Sequence, residues 1–179
     1  MGGSGTSSDL ITGLCVEVEA TVDAPPERVW DLLAEVTHVP GWSPECVRTS
    51  WLEPAAGPRV GARFTGLNRM EILEWEVTCQ VVECDRPRRF GWVVLDEDER
   101  PDRPSSRWRY ELEPLPGGRT LVRERFEHGP GDSRLRWLLR SNPDWDVATV
   151  VEFRRQRLHE NMTRTLAAMA RSAEAGAPG

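Results

Sequence analysis

Seven segments with strand periodicity, followed by one long helical stretch, constrain this chain more than any other feature. The first segment is Leu14 to Val22, where Leu14, Val16, Val18, Ala20 and Val22 alternate with Cys15, Glu17, Glu19 and Thr21. That is the period of a strand with one wet face. Further strands are predicted at Val47–Leu52, Ala62–Asn68, Ile72–Cys84, Arg89–Leu95, Ser106–Leu115 and Thr120–His128. The connectors Pro54-Ala-Ala-Gly-Pro58, Asp85-Arg-Pro87 and Pro116-Gly117-Gly118 carry turn chemistry, so neighbouring strands pair as local antiparallel hairpins. The charged run from Asp96 to Pro104 reads as a solvated loop.

Between the first two strands, Pro25-Pro26 opens a helix whose apolar stripe is Val29, Trp30, Leu33 and Val36. Pro40-Gly41 stops it, and Trp42-Ser43-Pro44 follows as a short turn or helix. The final helix is expected to start at Asn142 as cap and Pro143 as first residue, with Asp144 and Asp146 facing its positive end, and to run to about Ser172. Val147, Val151, Leu158, Met162, Thr165 and Met169 fall on one face, with Arg154 and Asn161 on or beside its centre. Polar groups there are unlike an ordinary core stripe. The fold class is therefore α+β: a curved seven-stranded antiparallel sheet wrapped around a long C-terminal helix, with two short helices between the first two strands.

Composition narrows function by exclusion. The chain has 179 residues, 39% hydrophobic and 29% charged, which suits one core. A net charge of −6 gives no general attraction to nucleic acid, and no apolar run reaches the ~20 residues that span a bilayer. We expect a flexible tail over 1–12, a single domain over 13–173 and a second flexible tail over 174–179, in a cytoplasmic protein. Cys15, Cys46, Cys79 and Cys84 form no CxxC pair, and Cys79 and Cys84 are expected on opposite faces of one strand, so neither a metal site nor a cofactor is expected. GxSxG, P-loop, HExxH and GxGxxG motifs are absent from the sequence. His38, His128 and His159 are scattered, with His159 off the helix's apolar stripe.

Four stretches carry a resemblance: Val18-Glu-Ala-Thr-Val-Asp-Ala-Pro-Pro-Glu-Arg-Val-Trp-Asp-Leu-Leu33, Val39-Pro-Gly-Trp-Ser-Pro44, Val60-Gly-Ala-Arg-Phe-Thr-Gly-Leu-Asn-Arg69 and His159-Glu-Asn-Met-Thr-Arg-Thr-Leu166. Over roughly 14–172 the chain resembles the START-like or Bet v 1-like helix-grip superfamily, in particular its bacterial polyketide cyclase/dehydratase and lipid-transport branch. The resemblance implies a pocket between sheet and C-terminal helix. It does not choose among carriers, cyclases, receptors and co-chaperones.

Alternation supplies the candidate lining. With Val122 and Phe126 inward on the last strand, Glu124 is inward too, and Arg154 on the facing helix is its candidate partner. A β-bulge turning Glu124 outward, or Arg154 reaching to the surface, is the alternative. Phe64 inward brings Gly66 and Asn68 inward, Gly66 either leaving room for a ligand or letting the sheet curl. Arg69 sits at the hairpin end, over the mouth or simply solvated. The chain has eight tryptophans and one tyrosine; Trp75, Trp92, Trp108 and Tyr110 are expected to form an aromatic inner wall, or plain core packing, with Trp42 guarding the entrance. Leu158, Asn161, Met162 and Thr165 complete the lining. Arg134 to Arg140 reads as a short amphipathic lid in preference to a membrane contact. The expected ligand is a small hydrophobic or aromatic molecule. Binding or carriage is the leading function, a cyclase/dehydratase using Glu124 and Arg154 in acid–base chemistry the alternative, and a co-chaperone-like interaction module the third. A monomer or homodimer without stable membrane insertion is expected.

Overall fold

The structure, a computed structural model, describes residues 7–176. Its elements are α1 (Ser7–Thr12), β1 (Cys15–Val22), α2 (Pro26–Ala34), a 3-10 helix (Val36–Gly41), β2 (Cys46–Trp51), β3 (Arg63–Met70), β4 (Leu73–Asp85), β5 (Arg89–Val94), β6 (Ser106–Leu115), β7 (Arg119–His128), α3 (Arg134–Ser141) and α4 (Val147–Ala175). The sheet has seven strands in the order β1-β7-β6-β5-β4-β3-β2, every neighbouring pair antiparallel. The α+β helix-grip architecture is thus the one the periodicities imply. Proline at the first turn of α2 and the buried stripe of Val29, Trp30 and Leu33 are also as expected.

Three local expectations are corrected. Asn142 does not open the last helix: its amide Nδ2 donates to Leu138 O at 2.8 Å and it ends α3. Asp146 caps α4 instead, accepting from Thr149 N at 2.9 Å and Thr149 Oγ1 at 2.6 Å, and α4 runs three residues past Ser172, to Ala175. A register shift between Val81 and Glu83 sets Cys84 opposite Phe90 while Cys79 opposes Val94, so both thiols point to the same face. The stretch expected as an N-terminal tail contains α1, whose Ile11 is buried; the expected tails otherwise fall partly on residues 1–6 and 177–179, outside the described residues.

The sheet's concave face carries Val16 and Val18, Glu124 and Phe126, Trp108 and Tyr110, Phe90 and Trp92, and Phe64, as the register pairs require. α4 lies over it with Val151, Leu158, Met162, Leu166, Met169 and Ala173 buried. The two ends of this layer differ. Toward α2, Val22, Val29, Phe90, Val122 and Met169 are wholly buried, and Arg28 Nε donates to Ala173 O at 2.6 Å, closing the C-terminal end of α4. Toward the opposite end, where Cys46, Met70, Val94, Ser106 and His128 terminate strands, concave-face residues such as Trp75, Val77, Trp92 and Trp108 are only half-buried.

Outside, the convex face is a ladder of ion pairs. Arg109 reaches across β5 to Glu83 on β4, a path that runs over Gly91, where an added Cβ would meet Trp108 O at 3.2 Å and Glu83 Oε2 at 3.3 Å. Arg123 bridges Glu19 and Glu113, Arg125 bridges Glu17 and Glu127, and such exposed pairs add solubility more than stability.

Candidate functional site

The half-buried end of the concave face is the candidate site, and rings dominate it. Trp92 and Trp108, cross-strand partners on β5 and β6, stack with centroids 6.0 Å apart and planes 7° from parallel. Phe126 meets Trp108 edge-on at 4.8 Å, and Phe64 meets Trp92 at 6.0 Å. Trp51 extends the file to the edge strand, 5.5 Å from Phe64, held by Nε1 donation to Glu35 Oε1 at 2.9 Å. Edge-to-face and offset contacts of this kind fix ring orientations. Two indoles in the middle of the sheet thus keep part of their surface open.

Gly66 and Asn68 face the same way, opposite Val77 and Trp75. A Cβ on Gly66 would touch only Val77 Cγ2 at 3.5 Å and Cys46 Sγ at 3.9 Å, ordinary contact distances, so the glycine is not forced by a clash. Cys46 is pushed up to about 11 by burial, and burial pushes Cys79 higher still, which keeps both as unreactive thiols.

Glu124 does face inward and is 3% exposed. Its partner, however, is Tyr110, whose hydroxyl donates to Oε1 at 3.0 Å, while Oε2 is buried with no hydrogen-bond partner. Burial raises its pKa from an ordinary 4.5 to about 8, with the Tyr110 hydrogen bond pulling the other way. The side chain is therefore a neutral acid at pH 7. Tyr110 is raised well above its usual value, by burial first and then by Glu124.

The expected Glu124–Arg154 pair is not formed. Arg154 grips Glu45 with both terminal nitrogens at 2.8 Å, Asn161 Nδ2 adds a third donor to Glu45 Oε2 at 3.1 Å, and the pair is mostly sequestered, with side-chain exposures of 19% and 14%. Glu45 follows Ser43, whose hydroxyl accepts from Glu45 N and Cys46 N, so the segment entering β2 is pinned to the first half of α4. Sequence reasoning found the arginine's need for an acid but not the acid, which lies 109 residues away in sequence.

Other candidates divide. Leu158, Met162 and Thr165 are buried on the facing side of α4, the Thr165 hydroxyl being spent on Asn161 O at 2.8 Å. Arg69 points outward to Glu74, at 3.0 and 2.8 Å, and does not cover the mouth. Trp42 is no entrance guard: its Nε1 donates to Ser172 Oγ at 3.0 Å, near the C-terminal end of α4. His128, which the sequence reading left aside, is buried against Phe126. Its Nδ1 lies 3.0 Å from Gly129 O and its Nε2 2.9 Å from Ser133 Oγ, and burial lowers it to about 4. Its period-two spacing after Phe126 was the available signal.

A curved antiparallel sheet gripping a long C-terminal helix across a ring-lined face defines the helix-grip class. The chain belongs to the polyketide cyclase/dehydrase and lipid transport family, whose model matches residues 14–174. A polyketide-cyclase-like protein of Corynebacterium glutamicum is 31% identical over 90% of this chain and 91% of its own, with a TM-score of 0.61. A Streptomyces aromatase/cyclase shares the fold at 19% identity, TM-score 0.69, covering 92% of this chain and 98% of its own. The di-domain aromatase/cyclase of the steffimycin biosynthetic pathway does so at 16% identity and TM-score 0.66, over 90% of this chain and 51% of its own. No curated protein sequence matches. The family supports a ligand-binding or cyclase role.

Proposed function

We propose that this protein binds a small, flat, largely apolar molecule against the Trp92–Trp108 stack, between the concave face of the sheet and the first half of α4. The observation that carries this is the half-burial of two stacked indoles at the centre of a sheet whose other end is wholly closed. A fully packed domain has no reason to leave such rings short of partners, since burying each adds roughly 2–3 kcal/mol. Titration with an uncharged anthraquinone should quench tryptophan fluorescence saturably, and Gly66→Phe, which sets a ring on the concave face beside Val77, should abolish it. Linear, non-saturating quenching by the wild-type protein sinks the reading.

A second reading, a cyclase or dehydratase in the same cleft, is favoured by one feature. A neutral Glu124 carboxyl paired with Tyr110 is a proton donor suited to a ketone oxygen during ring closure. Closure joins an enol carbon to a ketone carbon and dehydration then expels that oxygen as water, with no change in oxidation state. Because Oε2 is shut off from solvent, the side chains over it must shift to admit a substrate. Incubation with a poly-β-ketone thioester should yield a dehydrated cyclic product, lost in Glu124→Gln; equal product from both proteins removes Glu124 from the chemistry.

A further inference from the structure

Exposed apolar side chains are distributed unevenly. Of the eight large ones that are exposed among the described residues, Leu10, Ile72, Trp137, Trp145 and Phe153 belong to α1, the β3–β4 turn, α3, the α3–α4 connection and the second turn of α4. These elements surround the half-buried end of the cleft. Ile72 is 97% exposed at the tip of its turn, Phe153 56%, and Trp137 and Trp145 47% each. The tip and the helix are drawn together by Arg157, which approaches Glu71 at 3.8 Å and lies 5.7 Å from the Phe153 ring centre. α3 is tied into the same end through Arg136, which donates to Thr12 Oγ1 at 2.7 Å and to Gly129 O at 3.0 Å.

Charge accompanies the rings. Among the described residues Arg134, stacked 4.2 Å over Trp137, has no carboxylate within ion-pair reach, and Arg157 has Glu71 alone, at 3.8 Å. An arginine laid along an exposed ring presents an apolar body and a cationic tip, the pairing that suits the zone where acyl chains meet phosphates. The tips sit on separate elements and do not line one groove, so they match a soft, flat, phosphate-bearing surface better than a shaped pocket.

We infer that this end of the molecule docks onto the interface of a phospholipid bilayer, with Ile72, Trp137 and Phe153 entering the headgroup region and Arg134 and Arg157 meeting phosphates. The association is peripheral and reversible, since among the described residues no helix is long and apolar enough to cross a membrane and a few partly inserted side chains anchor only weakly. The net charge of −6, with Glu71 and Asp144 close by in sequence, works against purely electrostatic attraction. The apolar tips therefore carry most of the affinity. The amphipathic segment from Arg134 to Arg140 thus serves as a contact surface beside the mouth instead of a lid over it.

Co-sedimentation of the full chain with vesicles of phosphatidylcholine, alone or mixed with phosphatidylglycerol, tests the inference without any cleft ligand, so its outcome is independent of the proposed function. The bound fraction should fall about tenfold in the triple variant Ile72→Ser, Trp137→Ala, Phe153→Ala, whose urea midpoint should match wild type, and should be untouched by Val60→Ser at the far end. Phosphatidylglycerol should raise the bound fraction, and Arg134→Gln with Arg157→Gln should cancel the rise. Wild-type protein that stays in the supernatant, or a triple variant that sediments equally, overturns the inference. So does capture of an acidic protein through the same three side chains without vesicle binding, which would assign the surface to a protein partner.

Discussion

The two ends of the helix–sheet layer are built from the same kinds of residue and packed to opposite purposes. At the α2 end Phe90 is sealed between Trp30, Trp92 and the helices, fully buried, and α4 is fastened there by Arg28 and Trp42. At the other end Trp108 has a stacked partner and an edge-on phenylalanine yet remains partly open. There α4 is held by the Glu45–Arg154 ion pair in addition to the apolar contacts of Val151 and Leu158. Stability resides at one end and available surface at the other, which is the arrangement a binding site on a rigid scaffold needs.

The sharpest test compares truncations at the two ends. Phe90→Ala should cost about 3–5 kcal/mol, as for a sealed core ring, whereas Trp108→Ala, though it removes more atoms, should cost roughly half that or less. Urea unfolding at constant m-value measures both, and equal losses would erase the distinction.

Next in size is the pH response of Glu124, at the boundary between the ends. Its carboxyl is protonated in the folded protein up to about 8 but ionises near 4.5 once unfolded. Its contribution is complete below pH 4.5 and disappears as pH rises through 8, a change of at most roughly 5 kcal/mol. His128 has the opposite sign: neutral when folded down to about 4, it contributes fully above 6.5, and that contribution drains away as pH falls toward 4. The two slopes offset each other between pH 4.5 and 6.5, so stability should decline only beyond that window. Glu124→Gln should flatten the alkaline decline, and a variant that declines as steeply as wild type rules out a buried neutral acid.

Glu45→Ala should cost about 2–3 kcal/mol by stranding Arg154. Adding Arg154→Met should restore most of the loss; a double variant as weak as the single would mean that the pair itself stabilises the mouth. Smallest of all, Gly66→Ala should shift stability by less than about 1 kcal/mol, because its methyl has room, and yet weaken anthraquinone binding several-fold. A stability change without a binding change would detach Gly66 from the cleft.

The sequence made the architecture legible because strand period, a proline-opened helix and one terminal helix agree at every level. Alternation also placed Phe64, Trp92, Trp108, Glu124 and Phe126 on the inner face correctly. What alternation cannot supply is who pairs with whom. Arg154 advertised an unmet charge, but Glu45 lies in an irregular segment whose position follows from Ser43 hydroxyl bonds and the approach of α4, neither of which has a period. The bulge that moved Cys84 to the concave face is equally silent, since one extra residue leaves no compositional mark. Arg69 and Trp42 failed for a related reason: each sits where a strand or turn ends, and chain direction there is set by tertiary contacts.

The strand order has a consequence for how the molecule is made. β2 through β7 follow one another as neighbours, so each can join the growing sheet as soon as it exists, whereas β1 bonds only to β7, with Cys15 opposite Glu127. β1 must therefore wait, apolar face uncovered, until the strands from β2 to β7 have left the ribosome. Closing that long loop is the slow event in assembly, and a nascent chain halted before Arg119 would present Val16, Val18 and Val22 to any chaperone nearby.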